Sequence, residues 1–233
     1  MNQEVQTIEQ AEAPGGRIAD DWLIAYAAGN LSEAKSTLVA THASYHPELL
    51  NKVRDAESVA GALLGSTDKA DLSDGFFDRL MESIDAQDGE AGEAIDLIKP
   101  VSAKNSNVPQ PLADYLNGDL EDVKWRFMGP GMKQAKLWTG ENGEKLWLLK
   151  AKGGTEIPEH GHNGSEMTLV LQGSYHVNGQ KFGVGDLEIA SDEIEDHRPM
   201  IDEGEDCICL VVTEAPIKLK SLMARAVQPF IGL

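Results

Sequence analysis

The sequence has no long apolar run, and it is poor in cysteine and in basic residues. None of its apolar runs approaches the roughly 20 residues that span a bilayer. The N-terminal stretch MNQEVQTIEQAEAPGG has neither a basic leader nor an apolar core for export. Only two cysteines are present, Cys207 and Cys209, which excludes a disulfide framework. The sequence therefore predicts a cytoplasmic protein without a membrane partner.

The charge balance narrows the choice of partner. The chain has 39 acidic residues against 20 Lys and Arg, which gives a formal net charge of −19. Phosphate contacts need Lys and Arg, so this balance opposes direct binding to nucleic acid or to an anionic membrane. A basic protein fits better. The length of 233 residues and the hydrophobic fraction of 41% suit two soluble domains.

The pattern is helical from Asp20 to about Ala86. A first helix has an acidic start and ends at Gly29, and Asn30 caps a second helix, with Glu33 completing a capping box. Pro47 opens a third helix, which Gly65 ends. A fourth helix starts at Ser73.

The fourth helical segment has a strongly apolar stripe. Its members recur at helical spacing: Phe76, Phe77, Leu80, Met81 and Ile84. The stripe either packs on its own bundle or grips a partner, and periodicity does not choose between the two.

The period changes in the second half of the chain. Short apolar runs such as EKLWLLKA and CICLVVT alternate with glycine-containing turns, which indicates an antiparallel barrel or jelly roll. The predicted organisation is a disordered N-terminus over 1–16, a helical domain over 17–86, a linker rich in acidic and small polar residues over 87–110, and a β domain over 111–233.

A candidate metal site lies in GGTEIPEHGHNGSEMTLVLQG, residues 153–173. His160 and His162 are two apart, so they share one face of a strand, and Glu166 begins the next strand facing back toward them. Two imidazoles and a carboxylate suit a divalent metal. A distant further ligand is expected, and His197 is preferred over His176 because the hairpin beside His176 belongs at the barrel rim.

These residues resemble the first motif of the cupin family, Gly-x5-His-x-His-x3,4-Glu-x6-Gly. The matching positions are Gly154, His160, His162, Glu166 and Gly173. The second cupin motif is partly present: Gly185, Asp186 and His197 fit, while its inner Pro-x-Gly and its terminal Asn are missing. The resemblance implies a double-stranded β-helix that holds one metal. Zinc is preferred, and iron, manganese or nickel also suit the donors.

The whole chain from about Arg17 resembles the ChrR-type anti-sigma factors, which pair a helical anti-sigma domain with a cupin-like domain. The resemblance is carried by WLIAYAAGNLSEAKSTLVATH, PLADYLNGDLEDVKWR, HGHNGSEMTLVLQG, EDCICL and AVQPFIGL. It implies an α+β multidomain protein that sequesters an extracytoplasmic-function-type sigma factor. It also implies a metal-binding cupin domain that takes part in sensing singlet oxygen or organic peroxides, with release of the sigma factor.

The family's N-terminal zinc site is incomplete in this chain. The family has a distal His plus His-x3-Cys-x2-Cys, whereas this sequence offers Arg17 near the distal position, then His42, His46 and Leu49. Arg and Leu do not ligate zinc, so at most His42 and His46 remain, and a metal there would need an outside carboxylate such as Glu48. The sequence predicts a metal-free helix junction, with a second metal at His42 and His46 as the lesser alternative.

Three hypotheses on function follow. The first is an anti-sigma factor with a metal-bound cupin sensor. The second is a metal-dependent cupin enzyme, a dioxygenase or isomerase, with an accessory helical domain and a solvent-accessible polar cavity around the metal. The third is a small-ligand-binding module without a regulatory partner, in which the stripe from Phe76 to Ile84 would pack on its own bundle. No residue of the barrel stands out as a catalytic base, so the chain is not expected to be an enzyme. Cys207 and Cys209 are interpreted as structural residues of a barrel strand.

Overall fold

The computed structural model of the chain describes residues 16–90, 108–116, 118–161, 164–190, 197–215 and 218–219. The helices are α1 (Asp20–Ala27), α2 (Glu33–Tyr45), α3 (Pro47–Gly65), α4 (Phe76–Glu90) and α5 (Gln110–Leu116), with a 3-10 turn at Leu120–Asp122. The strands are β1 (Arg126–Gly129), β2 (Met132–Thr139), β3 (Lys145–Ala151), β4 (His160–Gly161), β5 (Glu166–Gln172), β6 (Ser174–Val177), β7 (Gln180–Gly183), β8 (Leu187–Ala190), β9 (Met200–Ile201), β10 (Cys207–Thr213) and β11 (Lys218–Leu219). Most of the predicted N-terminal segment and linker, and the closing AVQPFIGL, lie outside these residues.

The four expected helices of the N-terminal half are present, but α2 and α4 begin later in the sequence than predicted. The prediction that Asn30 caps α2 is wrong: the Asn30 N–H still bonds to the Ala25 carbonyl, and the Ser32 hydroxyl accepts from the Lys35 N–H at 3.4 Å. Helix α4 begins at Phe76, after Gly75 has turned the chain at a φ of +69°. Pro47 stands in the first turn of α3, where its missing N–H costs nothing.

The C-terminal part is an antiparallel sandwich. One sheet has the order β1-β2-β3-β10-β5-β8, a second has the order β7-β6-β9, and β11 pairs with β4. Side chains of both larger sheets, among them Val170, Val211, Tyr175 and Phe182, share one core, so the two sheets face each other. The predicted change from helical to strand periodicity is confirmed.

Strand β10 is buried on both faces. Cys207, Cys209 and Val211 point into the sandwich, while Ile208, Leu210 and Val212 point outward. The outward residues are covered by helices, because Leu38 and Leu112 belong to the same buried cluster. Alternating residues thus serve two cores, which explains why CICLVVT is apolar up to its last residue, Thr213.

A lysine of α2 reaches the sandwich across this interface. The Lys35 ammonium lies 2.5 Å from Glu214 Oε1 and 4.0 Å from Glu144 Oε1. Glu144 is 2% exposed, and its second oxygen has no hydrogen-bond partner among the described residues. Lys35 therefore supplies the positive charge that a buried carboxylate needs.

His42 and His46 meet a main-chain carbonyl of the sandwich. His42 Nδ1 lies 3.0 Å, and His46 Nε2 2.8 Å, from the Gly185 oxygen, while His42 Nε2 accepts from the Ile18 N–H at 3.3 Å. Gly185 has a φ of +86°, and a Cβ there would lie 3.0 Å from the Tyr45 Cβ. Both imidazoles therefore bond to protein groups at the junction of α2 and α3, and only a glycine fits against them.

The N-terminal edge reinforces the same contact. The Leu187 N–H donates to the Gly16 carbonyl at 2.8 Å. The Arg17 guanidinium lies 3.0 Å from Asp186 and 3.5 Å from Glu48. Arg17 stands near the position of the distal zinc ligand in the anti-sigma family that the sequence resembles. In this chain it instead makes an ion pair with the sandwich.

The apolar stripe of α4 is exposed. Residues 76–86 are all exposed, with side chains between 40% (Met81) and 67% (Phe77) accessible along the stripe. The second half of α3 also presents apolar side chains to solvent, including Leu63 at 65%. The stripe therefore does not pack on its own bundle in the described part of the chain. No helix among these residues is long and apolar enough to cross a membrane.

The His42 contact predicts a stability that falls in acid. Burial, followed by the charge of His46, lowers the pKa of His42 from 6.5 to about 3. Because the folded-state pKa lies below the unfolded one, the contribution is present above about pH 6.5 and is lost as the pH falls toward 3. We expect the free energy of unfolding to fall by about 2 kcal/mol from this group between pH 7 and pH 5.

Denaturant titrations of the wild type and of His42→Gln measure this effect. The variant is less stable at pH 7, but its stability should depend less on pH, with a difference in slope of about one proton near pH 5. Equal slopes for the two proteins would contradict the assignment to His42.

Candidate metal centre

Three potential metal ligands converge at one side of the sandwich. His160 lies in β4 and forms a bridge with His197, with the His160 N–H 3.2 Å from the His197 carbonyl. Glu166 begins β5, opposite Ala190 of β8 and Thr213 of β10. Donor atoms of His160, Glu166 and His197 all lie within 4.8 Å of one another. These donors fit a divalent metal ion.

Hydrogen bonds orient the two histidine rings. His160 Nδ1 lies 2.9 Å from the Pro158 carbonyl, so it holds the proton and Nε2 faces the cluster as a lone pair. His197 Nε2 donates to Glu188 Oε1 at 2.9 Å, and its Nδ1 lies 3.2 Å from His160 Nε2. One shared proton satisfies the two facing nitrogens, and a metal ion would take its place.

Sequence reasoning missed the residues behind the ligands. Glu188, which is 6% exposed, accepts from His197 through one oxygen and from the Tyr175 hydroxyl through the other, at 2.6 Å. The Thr168 hydroxyl lies 3.4 Å from Glu166 Oε1. A signal was present: Glu188 is the one charged residue of the buried strand LEIA, at an inward position between Leu187 and Ile189. A carboxylate behind a ligating histidine raises its basicity.

Burial and Glu188 set the protonation of the cluster. Burial raises the pKa of Glu166 to about 7, and burial lowers the pKa of His160. Burial also opposes the charged form of His197, but the hydrogen bond with Glu188 and its charge outweigh it and raise that pKa. At neutral pH the cluster therefore holds protons that a metal ion must displace.

A cavity of about 310 Å³ adjoins the cluster. Its polar lining consists mainly of the cluster and of Thr168, Tyr175 and Glu188, and most of the remaining wall is apolar, including Leu149, Ile157 and Val211. The sandwich is thus not filled with side chains up to the candidate ligands. This lining is more apolar than the polar lining that the cupin-enzyme hypothesis predicts.

Cys207 and Cys209 are buried beside this cavity. Their sulfur atoms lie 3.6 Å apart, and Cys209 lines the cavity. The hydrogen bond with Cys207, together with burial, raises the pKa of the Cys209 thiol. That environment disfavours a thiolate.

The other predicted histidines are located as follows. His162 lies outside the described residues. His176 is half exposed and lies 2.5 Å from Asp202, away from the cluster. His42 and His46 bond to the Gly185 carbonyl, as described above, and no group of three or more potential ligands among the described residues includes them.

Comparison with known proteins adds two relatives and one family. The family described as ChrR Cupin-like domain matches residues 116–216. The anti-sigma-E factor ChrR of Cereibacter sphaeroides is 43% identical over 214 residues, 91% of this chain and 96% of its own length. The crystal structure of Rhodobacter sphaeroides SigE in complex with the anti-sigma ChrR matches at 42% identity and a TM-score of 0.69, covering 84% of this chain and 97% of that one.

The pKa of Glu166 predicts how metal affinity depends on pH. Because a pKa of about 7 leaves this carboxyl largely protonated at pH 6, we expect metal affinity to rise about ten-fold between pH 6 and pH 8 from this group. Competition against a chromophoric chelator at pH 6, 7 and 8 measures it. His176→Gln should keep the same pH dependence, and Glu166→Gln should weaken binding by about 100-fold. A wild-type affinity that does not change with pH would contradict the prediction.

Proposed function

The chain belongs to the ChrR family of anti-sigma factors, and on that premise we propose that its helical part binds and sequesters an extracytoplasmic-function-type sigma factor. The observation that carries the proposal is the exposed stripe of α4. Phe76, Phe77 and Leu80 are between 42% and 67% exposed on an amphipathic helix. An exposed apolar face of this kind is the form that a helix takes when it binds in a groove of a partner.

Charge supports a sigma factor as the partner. Helix α4, which presents the stripe, also has the acidic side chains Asp78, Glu82 and Asp85. A sigma factor uses basic surfaces to contact DNA, and an acidic partner complements them. The chain then acts as a protein-binding regulator located in the cytoplasm, without contacts of its own to nucleic acid or membrane.

We propose His160, His162, Glu166 and His197 as the ligands of one metal ion, with zinc preferred over iron, manganese or nickel. The bound ion would hold the ligand strands together and act as a Lewis acid toward a small oxidant or ligand. The chain's own residues keep the donors in place: Glu188 orients His197, and Pro158 orients His160. This cupin-like part, in the proposal, takes part in sensing singlet oxygen or organic peroxides and in releasing the sigma factor.

The proposed domain limits are those expected from the sequence: 17–86 for sigma-factor binding, 87–110 for the linker and 111–233 for the cupin-like part. A relative that covers 91% of the chain is named as an anti-sigma factor, so the chain is placed among regulators. The alternative, a metal-dependent cupin dioxygenase or isomerase with an accessory helical domain, would require turnover that His160→Ala abolishes.

The α4 stripe predicts which substitution weakens sigma-factor binding. Phe77→Asp places a charge in the middle of the contact, and we expect the affinity of the full-length chain for its sigma factor to fall by at least about 30-fold. The matched control is Phe127→Asp on β1, where the side chain is 73% exposed in the sandwich. Binding of each variant to surface-immobilised sigma factor measures the two affinities. Equal affinities for the two variants would count against α4 as the binding surface.

The metal cluster predicts a separation of binding from release. His160→Ala and Glu166→Gln should bind the sigma factor with an affinity within about three-fold of the wild type, because the cluster lies in the sandwich and the stripe lies on α4. Both variants should fail to release it after exposure to singlet oxygen or an organic peroxide. His176→Ala, outside the cluster, serves as the control and should release normally. Normal release of the sigma factor by both cluster variants would contradict a role of the metal cluster in sensing.

A further inference from the structure

The first observation is an apolar cavity that reaches the surface at a phenylalanine. The cavity of about 310 Å³ has its polar groups gathered in the hydrogen-bonded ligand cluster. Another part of its wall consists of Phe127, Gly129 and Met132, and Phe127 is 73% exposed. The size falls within the range of small-molecule sites, about 300–1,000 Å³.

The second observation is a basic groove on the other side of the same three residues. Phe127, Gly129 and Met132 also line a groove of about 460 Å³, whose charged groups are Lys133, Lys150, Lys152 and Asp206. Phe127 pairs with Lys133, and Lys133 pairs with Lys150, so these three side chains lie on one face of the sheet. Lys150 also pairs with Ile208, so this is the outward face of the sheet, and the groove meets the cavity at the β1 edge, where Phe127, Gly129 and Met132 line both.

The groove has free positive charge in a strongly acidic protein. Lys150 is engaged, since its ammonium lies 3.3 Å from Asp206 and 5.9 Å from the centre of the Trp125 ring. Lys133 and Lys152 are exposed and have no ion-pair partner among the described residues. Two exposed ammonium groups that make no ion pair with the described part of the chain, in a protein of net charge −19, mark a place where an anion is favoured.

We propose that the cavity and the groove together form a binding site for an amphipathic carboxylate, such as a medium-chain fatty acid. Its apolar chain occupies the cavity, and its carboxylate lies in the groove between Lys133 and Lys152. The opposite orientation would bring the carboxylate toward Glu166 and Glu188, which line the inner wall. A single carboxylate matches two lysine point charges, and apolar burial supplies the rest of the affinity.

This site goes beyond sequestration of a sigma factor and beyond metal binding, because neither of these needs a ligand in the groove. The test uses the full-length chain and follows its tryptophan fluorescence, to which Trp147 in the cavity wall contributes, during titration with decanoate, decanol and acetate. Titrations are run on the protein as purified and after metal removal. Metal content and sigma-factor affinity are measured on the same preparations.

The charge arm compares two double variants with the same change in net charge. Lys133→Glu with Lys152→Glu should weaken decanoate binding about ten-fold and leave decanol binding unchanged. Lys69→Glu with Lys136→Glu alters exposed lysines outside the groove and should leave both unchanged. Acetate, which has no chain to bury, should not compete. A carboxylate bound at the ligand cluster would make the Lys133 and Lys152 changes ineffective, and that result would overturn the proposal.

The second set of variants fills the part of the cavity that the apolar chain of the ligand would occupy. Ile157→Trp should abolish binding of decanoate and decanol, and Leu149→Trp is a second filling variant in case the first does not fold, as judged by circular dichroism. Persistent binding in a folded filling variant would overturn the proposal. If the wild type binds the sigma factor and metal but not decanoate, this site is wrong and the proposed function stands.

Discussion

Burial of both faces of β10 is the constraint on which the rest of the structure depends. The inward residues of this strand close the sandwich, and the outward residues pack under the helices. Removing the helices would expose Ile208, Leu210 and Val212, a row of apolar side chains that a sheet facing solvent does not tolerate. The helices that form the junction are therefore also the outer wall of the sandwich.

Polar contacts fix how the helices meet the sandwich. Glu214 directly follows β10, accepts from Lys35 of α2 through one oxygen, and accepts from the Ser165 N–H through the other at 2.8 Å. Ser165 directly precedes the candidate ligand Glu166. One carboxylate thus joins the helical part to the start of a ligand strand, so the position of Glu166 and that of α2 are set by the same side chain.

Much of the fold could be predicted because its signals are local. Helical spacing, the proline at the start of α3 and the alternation of the strands depend on near neighbours, and the ligand spacing around His160 and Glu166 needs only one turn between two strands. The start of α2 was missed because Asn30 and Ser32 are both good caps, and the bond from the Asn30 N–H to the Ala25 carbonyl ties Asn30 to the end of α1 instead.

The remaining part of the candidate site depends on contacts that are distant in sequence. The Tyr175 hydroxyl and His197 both donate to Glu188, although Tyr175 and Glu188 belong to different sheets, and the Gly185 carbonyl lies more than 130 positions from the histidines it contacts. A main-chain oxygen leaves no mark in the sequence beyond a glycine, so no local pattern identifies it as the partner of His42 and His46.

That carbonyl has a consequence for when the helix junction can form. A metal-built junction closes as soon as its few local ligands have been made and an ion arrives. Here the corresponding contact is Gly185, which leaves the ribosome long after α2 and α3. The junction acquires its last partner late in synthesis, and the two parts mature together.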